Sequence, residues 1–474
     1  MDLLEALQRA AQPLGDSVRV AAGPAVSILN AGALRQRIGA LVDSAVFGKE
    51  PHRSLARWLI RELAIAAGAP PGSIQELYLA RGRGETRDSF TVPAMNLRAL
   101  PFHAARAVFR AASKTQAKAM IFELARSEMG YTDQRPAEYA ACVLGAAIAE
   151  GFQGPVFIQG DHFQISAKKY ATKPAEETQA VRALIQEAIS SGFFNIDIDT
   201  STLVDLSKAT IPEQQKVNSG LCAEFTAYVR SLQPAGVVIS VGGEIGEVGG
   251  HNSTEPELRA FMDGYNEALK ALDPESPGLS KISIQTGTSH GGVVLPDGTI
   301  AKVKVDFETL SQLSKVAKQY AMGGAVQHGA STLPEEAFSK FSEAGALEVH
   351  LATNFQNMLY DRLPEALLQE VYAFLTQNHS DERKEGQTAE QFYYNARKRA
   401  LGPFKQKFWQ LPAATLKTIE DAWQQQFELL FERLAIAGTQ VEVDRYVHPV
   451  PVRVPLAEYL REAGVAEDVK DLAD

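Results

Sequence analysis

The chain has 474 residues, 45% of them hydrophobic and 22% charged, a composition typical of a globular protein with one large domain or roughly two to three domains. Its formal net charge of −10 argues against a general nucleic-acid binder or a binder of anionic membranes, because both partners require a positive surface field. Two cysteines provide neither a disulfide framework nor a cysteine-rich metal knuckle.

Residues 1–86 are predicted to form a helical N-terminal extension. Leu3, Leu7 and their apolar neighbours recur at helical spacing, and residues 81–86 make a polar, glycine-rich joint. Asp2 and Glu5 stand where a secretory signal would be basic, and no apolar run approaches the ~18 residues that span a bilayer. We therefore expect a cytoplasmic protein with no membrane segment.

Between residues 87 and 358 a new pattern recurs about eight times: a short β-like run, a polar or glycine-bearing end, then an amphipathic helix. Eight such units predict a (β/α)₈ barrel of the α/β class, and a doubly wound open sheet is the alternative. The runs are Phe90–Met95, Lys118–Leu124, Pro155–Gln159, Phe194–Ile198, Gly236–Ser240, Lys281–Gln285, Gly324–Gln327 and Ala346–Leu351.

Residues 359–474 are predicted to form a helical C-terminal extension. Trp423, Phe427, Leu430, Phe431 and Leu434 form an apolar stripe at helical spacing. A helix packed on the barrel explains this stripe, and an oligomer contact is the alternative.

Polar residues follow nearly every predicted strand. Active sites of (β/α)₈ barrels lie at the carboxyl ends of the strands, so these side chains are candidates for chemistry. They are Asn96, Ser127, Asp161 with His162, Asp197 with Asp199, Glu244, His290, His328 with Ser331, and Thr353.

Three of these candidates are histidines from three different strand ends. A single histidine there is usually structural, but His162, His290 and His328 together favour one metal site. Neutral imidazoles and a carboxylate are ligands that suit Zn²⁺, and a catalytic site keeps one position open. Glu244 is either a fourth ligand or a group that orients a ligand.

Six motifs follow one another along the chain: Val92–Asn96, Asp161–His162, Ile196–Ser201, Glu244–Gly250, Gly287–Gly291 and His328–Ser331. In this order they resemble the class II, metal-dependent fructose-bisphosphate aldolases. The resemblance implies a zinc ion held by His162, His290 and His328, with Glu244 as an additional or alternating ligand and Asp161 as the catalytic aspartate. Another divalent metal is an alternative to zinc, and a monovalent cation is a further candidate cofactor.

The resemblance also implies a reaction and a substrate. The family cleaves a ketose bisphosphate such as fructose 1,6-bisphosphate reversibly to dihydroxyacetone phosphate and an aldehyde. Gly291, Gly329 and Ser331 match positions that hold the phosphate of the dihydroxyacetone phosphate half, and loop N–H groups near helix starts suit a phosphate. Asn96, Ser127 and Thr353 are further predicted substrate contacts. Members are commonly dimers or tetramers, so we expect a homo-oligomer.

Two departures from the family's pattern affect the substrate. His251 stands where the family usually has acidic residues on a mobile loop, and it is the candidate to handle the proton of the enediolate. The stretch Glu348–Asn354 is similar to a run in the accessory subunits of tagatose-bisphosphate aldolases. His350 then occupies the place of the usual substrate-binding asparagine.

Three alternatives to a metal-dependent aldolase remain at this point. A related metal-dependent lyase or epimerase would form an enediolate from another sugar or sugar phosphate. A non-catalytic partner subunit would assist a true aldolase, but it would not need the metal-type residues and Asp161. A Schiff-base aldolase would carry out the same cleavage through a lysine.

Overall fold

The computed structural model describes residues 3–21, 25–246, 251–287, 295, 305–331 and 333–462. Within these ranges the chain builds a closed barrel of eight parallel strands surrounded by helices, which confirms the predicted (β/α)₈ fold. The strands are β1 Val18–Ala21, β2 Ala25–Ile28, β3 Pro71–Gly72, β4 Val92–Asn96, β5 Ile121–Ala125, β6 Val156–Gln164, β7 Asn195–Asp199, β8 Ser240–Glu244, β9 Lys281–Ile284, β10 Ala325–Gln327 and β11 Glu348–Leu351.

Strands β4 to β11 pair in chain order, and the last pairs with the first. The closing contact aligns Glu348 with Val92 and Leu351 with Met95. An open, doubly wound sheet would leave two edge strands unpaired at this point. The closed ring instead brings the carboxyl ends of all eight strands to one mouth.

Helices cover the outside of the barrel and form most of both extensions. Their starts follow ordinary capping rules: α10 begins with a reciprocal Thr210–Glu213 capping box and has Pro212 in its first turn. The helices are α1 Leu3–Ala11, α2 Ala31–Phe47, α3 His52–Ala66, α4 Gln75–Gly82, α5 Pro101–Thr115, α6 Arg126–Thr132, α7 Pro136–Glu150, α8 Ala167–Thr172, α9 Pro174–Ser191, α10 Ile211–Leu232, α11 Glu255–Leu272, α12 Phe307–Gln319, α13 Ser339–Glu343, α14 Thr353–Tyr360, α15 Glu365–Asn378, α16 Ala389–Ala396, α17 Lys405–Trp409, α18 Ala413–Arg433, α19 Gln440–Tyr446 and α20 Leu456–Glu462.

The N-terminal region contains two short β elements besides its helices. Strands β1 and β2 form an antiparallel hairpin, and β3 adds a two-residue parallel contact to β6. Neither was expected from the helical spacing. Among the described residues, no helix combines the length and apolar character that crossing a bilayer requires.

The apolar stripe of the C-terminal region is buried within the chain itself. Trp423 on α18 is 1% exposed and donates from Nε1 to the carbonyl oxygen of Phe355 at 3.0 Å. The rings of Phe427 and Phe355 lie 4.8 Å apart between centroids. Helix α18 therefore packs on α14 of the same chain, in agreement with the interpretation that the stripe belongs to a helix packed on the barrel.

The fifth barrel strand lies four residues later than its predicted position. The apolar run Gly236–Ser240 suggested a strand, but β8 spans Ser240–Glu244. A Cβ atom on Gly242 would lie 2.3 Å from Asp197 Oδ1 and 2.9 Å from Lys281 Cε. The glycine is thus a close-approach site inside the barrel, and its lack of a side chain concealed the strand in the sequence.

Candidate active site

Asp161 and His162 lie on an irregular segment of β6. Pairing between β6 and β7 shifts register between Gly160 and Phe163, and His162 has a φ of +40°. Adjacent residues of a regular strand point to opposite faces, whereas a bulge re-aims one of them. The bulge therefore lets both the carboxylate and the imidazole line the cavity at the barrel mouth.

Gly160 is required for this bulge. A Cβ atom at that position would lie 2.4 Å from the ring of Phe163, which is fully buried. A buried aromatic ring has little room to move in a close-packed interior. The sequence Gly160–Phe163 thus encodes the local geometry of the site as well as two of its chemical groups.

We use the name mouth cluster for Asp161, His162, Asp199, Glu244 and His328. His328 Nε2 lies 3.5 Å and His162 Nε2 lies 3.9 Å from Asp161 Oδ1. The two rings are 4.1 Å apart between centroids, and ligand atoms of Asp161, His162 and His328 all lie within 4.8 Å of one another. Two of the three imidazoles predicted to share one metal site, those of His162 and His328, therefore lie close together.

The other nitrogen of His162 faces two carboxylates. Nδ1 lies 3.0 Å from Asp199 Oδ2 and 3.1 Å from Glu244 Oε2. An Nδ1–H that donates to a carboxylate leaves the Nε2 lone pair for a metal ion. In this arrangement Asp199 and Glu244 lie on the Nδ1 side of His162 and orient its ring, whereas Nε2 lies on the side of Asp161.

The donor set of the mouth cluster suits a divalent cation. Burial opposes protonation of His162, but the charges of Asp161 and Glu244 and the bonds to Asp199 and Glu244 raise its pKa well above the usual range. Burial and the charges of His350 and His162 hold the pKa of His328 well below the usual range, so that ring is neutral. The carboxylate field that favours a proton on His162 equally favours a metal ion there.

Asp161 is held as a carboxylate at neutral pH. Burial alone would raise its pKa, but the charges of His162 and His350 and hydrogen bonds from His328 and His350 hold it well below the usual range. Asn96 Nδ2 donates to Asp161 Oδ2 at 3.0 Å. The side chain is 4% exposed and lines the cavity, so an ionised carboxylate forms part of the cavity wall.

Glu128 fixes the orientation of the Asn96 side chain. Its Oε2 accepts from Asn96 Nδ2 at 2.9 Å and from the backbone N–H of Ala125 at 3.0 Å, and its Oε1 accepts from Arg98 Nε at 2.5 Å. Glu128 is 1% exposed. A buried carboxylate with three donors has a fixed orientation, so the Asn96 amide is held towards Asp161.

His350 connects the mouth to deeper parts of the barrel. Its Nδ1 lies 3.2 Å from Asp161 Oδ1 and 3.1 Å from Glu123 Oε1, and its Nε2 lies 2.7 Å from Glu348 Oε1. The ring is 4% exposed and lies 4.0 Å from that of His328 between centroids. Both nitrogens face carboxylates, so His350 holds Asp161 in place while one side of its ring lines the cavity.

Below His350 lies a set of side chains that we name the inner layer: Glu123, Gln159, Asp197, Lys281 and Glu348. Lys281 Nζ donates to Gln159 Oε1 at 2.7 Å, Asp197 Oδ2 at 2.9 Å and Glu348 Oε1 at 2.5 Å. Gln159 Nε2 donates to Glu123 Oε2 at 2.8 Å and to Glu348 Oε1 at 3.0 Å. The ammonium group and the amide therefore bind carboxylates from three other strands, β5, β7 and β11.

The remaining predicted substrate residues in the described part of the chain line the same cavity. Ser127, Gly329, Ser331 and Thr353 are all in its wall together with Asn96 and His350. Gly329 has a φ of +70°, which a non-glycine residue adopts only with strain. Ser331 Oγ accepts from the backbone N–H of Ala352 at 2.6 Å, so its own hydroxyl proton remains available to a ligand.

Two of the predicted residues, His290 and Gly291, lie outside the described residues. His251 is described, but it is not among the residues that line this cavity. It is exposed, and its Nδ1 contacts the backbone oxygen of Asn252 at 3.0 Å. The roles predicted for these three residues stay predictions.

The sequence interpretation missed Arg98, Glu123, Glu128 and Lys281. Arg98 and Glu128 follow strands β4 and β5 by only a few residues, where polar groups were already expected. Glu123 and Lys281 interrupt runs that are otherwise apolar. An ionisable residue inside an apolar strand is costly unless it is paired, and that cost was the available signal.

Solved structures relate this chain to others by fold. The native structure of the fructuronate-tagaturonate epimerase UxaE from Cohnella laeviribosi is 12% identical, covers 89% of this chain and 90% of its own, and has a TM-score of 0.52. A probable tagatose 6 phosphate kinase from Sinorhizobium meliloti 1021 is 16% identical, covers 79% and 97%, and has a TM-score of 0.49. A putative fructose-1,6-biphosphate aldolase from Coccidioides immitis is 19% identical, covers 72% and 96%, and has a TM-score of 0.40.

The family model described as Fructose-bisphosphate aldolase class-II matches residues 85–420. This span exceeds half of the chain and includes every strand of the barrel, from β4 to β11. It also includes the whole mouth cluster and its neighbours Asn96 and His350. The chain belongs to the class-II fructose-bisphosphate aldolase family.

Proposed function

We propose that the protein is a metal-dependent aldolase that reversibly cleaves a ketose phosphate, such as fructose 1,6-bisphosphate, to dihydroxyacetone phosphate and an aldehyde. The observation that carries this proposal is the convergence of Asp161, His162 and His328, whose ligand atoms lie within 4.8 Å of one another in the wall of the cavity. Family membership supports the same reaction class.

His162 and His328 would hold a zinc ion through Nε2, with His290 as the third predicted ligand and Glu244 orienting His162 or joining the ligands. Imidazole nitrogens and a nearby carboxylate fit the preferences of Zn²⁺. When bound, the ion would supply Lewis-acid stabilisation of the negative charge that develops on the ketose oxygens as the carbon–carbon bond breaks.

Asp161 acts as the general base in the cleavage direction. Its carboxylate accepts the proton of the hydroxyl group whose carbon becomes the aldehyde, and it returns that proton in the condensation direction. The low pKa of Asp161 keeps the carboxylate ionised, and the Asn96 amide at 3.0 Å holds its Oδ2 in place. His350 contacts the other oxygen at 3.2 Å, so the base has one orientation.

Gly329, Ser331 and Gly291 are the proposed contacts for the phosphate of the dihydroxyacetone phosphate half. Two observations support this assignment. Gly329 has a left-handed backbone conformation, and the Ser331 hydroxyl proton is available for donation. Both residues lie in the cavity wall. Asn96, Ser127, His350 and Thr353 line the rest of the substrate space. His251 remains the proposed residue for the enediolate proton.

An epimerase acting on a related sugar is the second candidate. The epimerase UxaE spans more of this chain, 89%, than the aldolase neighbour from Coccidioides immitis, 72%. Proton transfer by Asp161 beside a metal site would serve that reaction equally. A Schiff-base route is disfavoured: burial opposes the charge of Lys281, but Asp197 and Glu348 raise its pKa, so the ammonium is protonated and not nucleophilic.

The test combines metal content with product analysis on the full-length protein. Mass spectrometry should find about one zinc per chain, and fructose 1,6-bisphosphate should yield dihydroxyacetone phosphate in a coupled assay that a chelator stops and added zinc restores. His328→Ala should lose both metal and activity, whereas His52→Ala, at an exposed position, should keep both.

Two results would overturn the proposal. A zinc-loaded protein that releases no triose phosphate from a panel of ketose phosphates is not an aldolase of this type, and interconversion of two sugars without cleavage would assign the epimerase. His328→Ala with unchanged metal content would remove the proposed metal site.

A further inference from the structure

A segment of the N-terminal region lies across the end of the barrel opposite the mouth. We use the name floor segment for residues 70–82, which include β3 and α4. Asn195 Oδ1, on the first residue of β7, accepts from the backbone N–H of Ile74 at 2.9 Å. Ser73 Oγ accepts from the backbone N–H of Ser240, the first residue of β8, at 3.0 Å. The floor segment is therefore bonded directly to the amino ends of the barrel strands.

Arg81 fixes α4 beneath the two strands that close the barrel. Its side chain is buried and donates to the carbonyl oxygens of Phe90 and Ala346, which lie two residues before β4 and β11. A Cβ atom on Gly323, two residues before β10, would lie 2.8 Å from the carbonyl oxygen of Tyr78. Such a close approach leaves little room for movement, so the backbone at Tyr78 has a fixed position below these strands.

Tyr78 connects the floor segment to the inner layer. Its side chain is fully buried, and its Oη donates to Glu348 Oε2. Burial and the charge of Glu348 raise the pKa of Tyr78 well above its usual range, so the phenol keeps its proton. Burial alone would raise the pKa of Glu348, but the charge of Lys281 and a hydrogen bond from His350 lower it. A neutral donor thus meets an ionised acceptor, which makes a strong hydrogen bond.

The two oxygens of Glu348 have different partners. Oε1 accepts from Lys281 Nζ at 2.5 Å and from Gln159 Nε2 at 3.0 Å, and it lies 2.7 Å from His350 Nε2. Oε2 accepts from Tyr78. A carboxylate with donors on both oxygens cannot rotate without breaking bonds on one side. The Tyr78 hydroxyl therefore fixes the direction in which Oε1 meets His350.

His350 extends this constraint to the barrel mouth. It lies two residues after Glu348 on β11, so both side chains leave the same face of the strand. While Nε2 meets Glu348, Nδ1 lies 3.2 Å from Asp161 Oδ1. An imidazole with one nitrogen bonded to a fixed acceptor has a fixed ring orientation. The contact between Nδ1 and Asp161 therefore depends on the orientation of Glu348.

We propose that Tyr78 is a positioning residue, which acts through Glu348 and His350 to hold the Asp161 carboxylate in one orientation for proton transfer. The inference rests on the proposed function and gives the N-terminal region a part in it, since Tyr78 precedes residues 85–420 that match the family model. Tyr78 is not among the residues that line the cavity. Misplacing a reacting group by about 1 Å can slow catalysis about a hundredfold, so partial loss of orientation is measurable.

Tyr78→Phe removes the hydroxyl and keeps the ring. In the zinc-loaded, full-length protein assayed on fructose 1,6-bisphosphate, kcat should fall about tenfold and KM should change less than about twofold, because the substrate contacts remain. Zinc content should stay unchanged. Tyr265→Phe is the matched control: Tyr265 is also fully buried, and its Oη donates to Thr226 Oγ1 at 3.1 Å between α11 and α10. Both variants should melt a few degrees lower, but only Tyr78→Phe should lose activity.

A double-mutant cycle with His350→Asn separates positioning from a general loss of structure. Asparagine has no counterpart of the Nε2 atom that meets Glu348. If Tyr78 acts through Glu348 and His350, the double variant should have nearly the kcat of His350→Asn alone. Independent losses that multiply would contradict this route, and an unchanged kcat in Tyr78→Phe would overturn the proposal.

Nuclear magnetic resonance tests the same contact without turnover. In zinc-loaded protein with isotope-labelled histidine, the signal absent from His350→Asn identifies His350. Its Nε2 proton, buried against Glu348, should exchange with water about tenfold faster in Tyr78→Phe and at an unchanged rate in Tyr265→Phe.

The exchange rate and the product assay have separate consequences. An unchanged exchange rate in Tyr78→Phe would overturn the positioning role, even in an active aldolase. Faster exchange in a protein that releases no triose phosphate would support the link from Tyr78 to His350 and overturn the proposed function alone.

Discussion

The mouth cluster and the inner layer are two buried groups of ionisable side chains in the same barrel, and they differ in how their charges are balanced. In the inner layer the Lys281 ammonium lies 2.9 Å from Asp197 and 2.5 Å from Glu348. In the mouth cluster, imidazole rings crowd one another at 4.1 Å around the Asp161 carboxylate. In the inner layer the positive charge comes from the Lys281 side chain. The mouth cluster is instead suited to binding a metal cation from solution.

This difference separates residues that maintain the barrel from residues that act on a substrate. A buried ion pair with satisfied hydrogen bonds rigidifies its surroundings, and breaking it leaves a costly charge. Imidazoles and carboxylates without an ammonium group are the ligands of metal sites. Substitutions in the inner layer should therefore affect folding, and substitutions in the mouth cluster should affect metal binding and catalysis.

The largest expected effect is on activity, from Asp161→Asn in the mouth cluster. Removing the proton acceptor should lower kcat about a thousandfold, while metal content and thermal stability change little. Asp421→Asn, on the exposed face of α18, is the matched control and should retain full activity. A variant that keeps more than a tenth of the activity would show that Asp161 is not the base.

In the inner layer, Lys281→Met should have its main effect on stability. The side chain is 1% exposed, and its loss leaves Asp197 and Glu348 without their ammonium partner, which should cost about 3–5 kcal/mol in the free energy of unfolding. Urea denaturation measures this, with Lys417→Met as an exposed control that should change stability by less than about 0.5 kcal/mol. If the free energy of unfolding of Lys281→Met changed little, the ion pairs of Lys281 would contribute no net stability beyond the cost of removing their charges from water.

A smaller effect is expected from Glu244→Gln, which tests how His162 is oriented. Glu244 Oε2 lies 3.1 Å from His162 Nδ1, the nitrogen that also contacts Asp199. If Glu244 orients His162, zinc affinity measured by chelator competition should fall about tenfold. Glu267→Gln on the exposed face of α11 is the control. A complete loss of zinc would make Glu244 an obligatory ligand, and an unchanged affinity would leave the orienting role to Asp199.

The smallest expected effect is a pH dependence that originates in the inner layer. Burial, aided by the charge of Asp161, raises the pKa of Glu123 from 4.5 to about 8. The folded protein then retains a proton that the unfolded chain releases near pH 4.5, so this contribution to stability is lost as pH rises towards 8. Between pH 6.5 and 8 the loss should be on the order of 1 kcal/mol per pH unit.

Glu123→Gln checks that origin, because glutamine cannot ionise. Urea unfolding at pH 6.5, 7.2 and 8 should show a flatter stability profile for the variant than for the unmodified protein. Parallel profiles would contradict the raised pKa of Glu123. Asp197, whose pKa burial raises to about 6, titrates mainly below this window and should affect both proteins alike.

Strand positions were predictable wherever the apolar run and the strand coincide. Six of the eight predicted runs overlap most of their strands. The run Pro155–Gln159 covers only the first part of β6, and β8 was misplaced because Gly242 and Gly243 carry no side chains to mark it. The β1–β2 hairpin was missed for a different reason. Each strand has only four residues, too few to show an alternating pattern against the helices around it.

The sequence predicted which residues form the candidate site, but it did not predict the contacts between their side chains. The positions of Asp161, His162 and His328 just after apolar runs indicated a shared mouth, since parallel strands of a barrel end together. Their distances depend on the bulge at His162, whose φ of +40° is a local conformation that no spacing reveals. Asp161 and His350 are 189 residues apart along the chain and come into contact only because the barrel closes between β11 and β4.

The sequence by itself determined the repeating βα pattern, the acids and imidazoles at the strand ends and the family's motifs, because these depend on residue type and short spacing. Only the tertiary structure decided which carboxylates face Nδ1 of His162, which charges Lys281 pairs with and which side chains hold Asp161 in place. Those outcomes depend on the closure of the barrel and on side-chain packing between distant segments, and such contacts leave no periodic signal in a single chain.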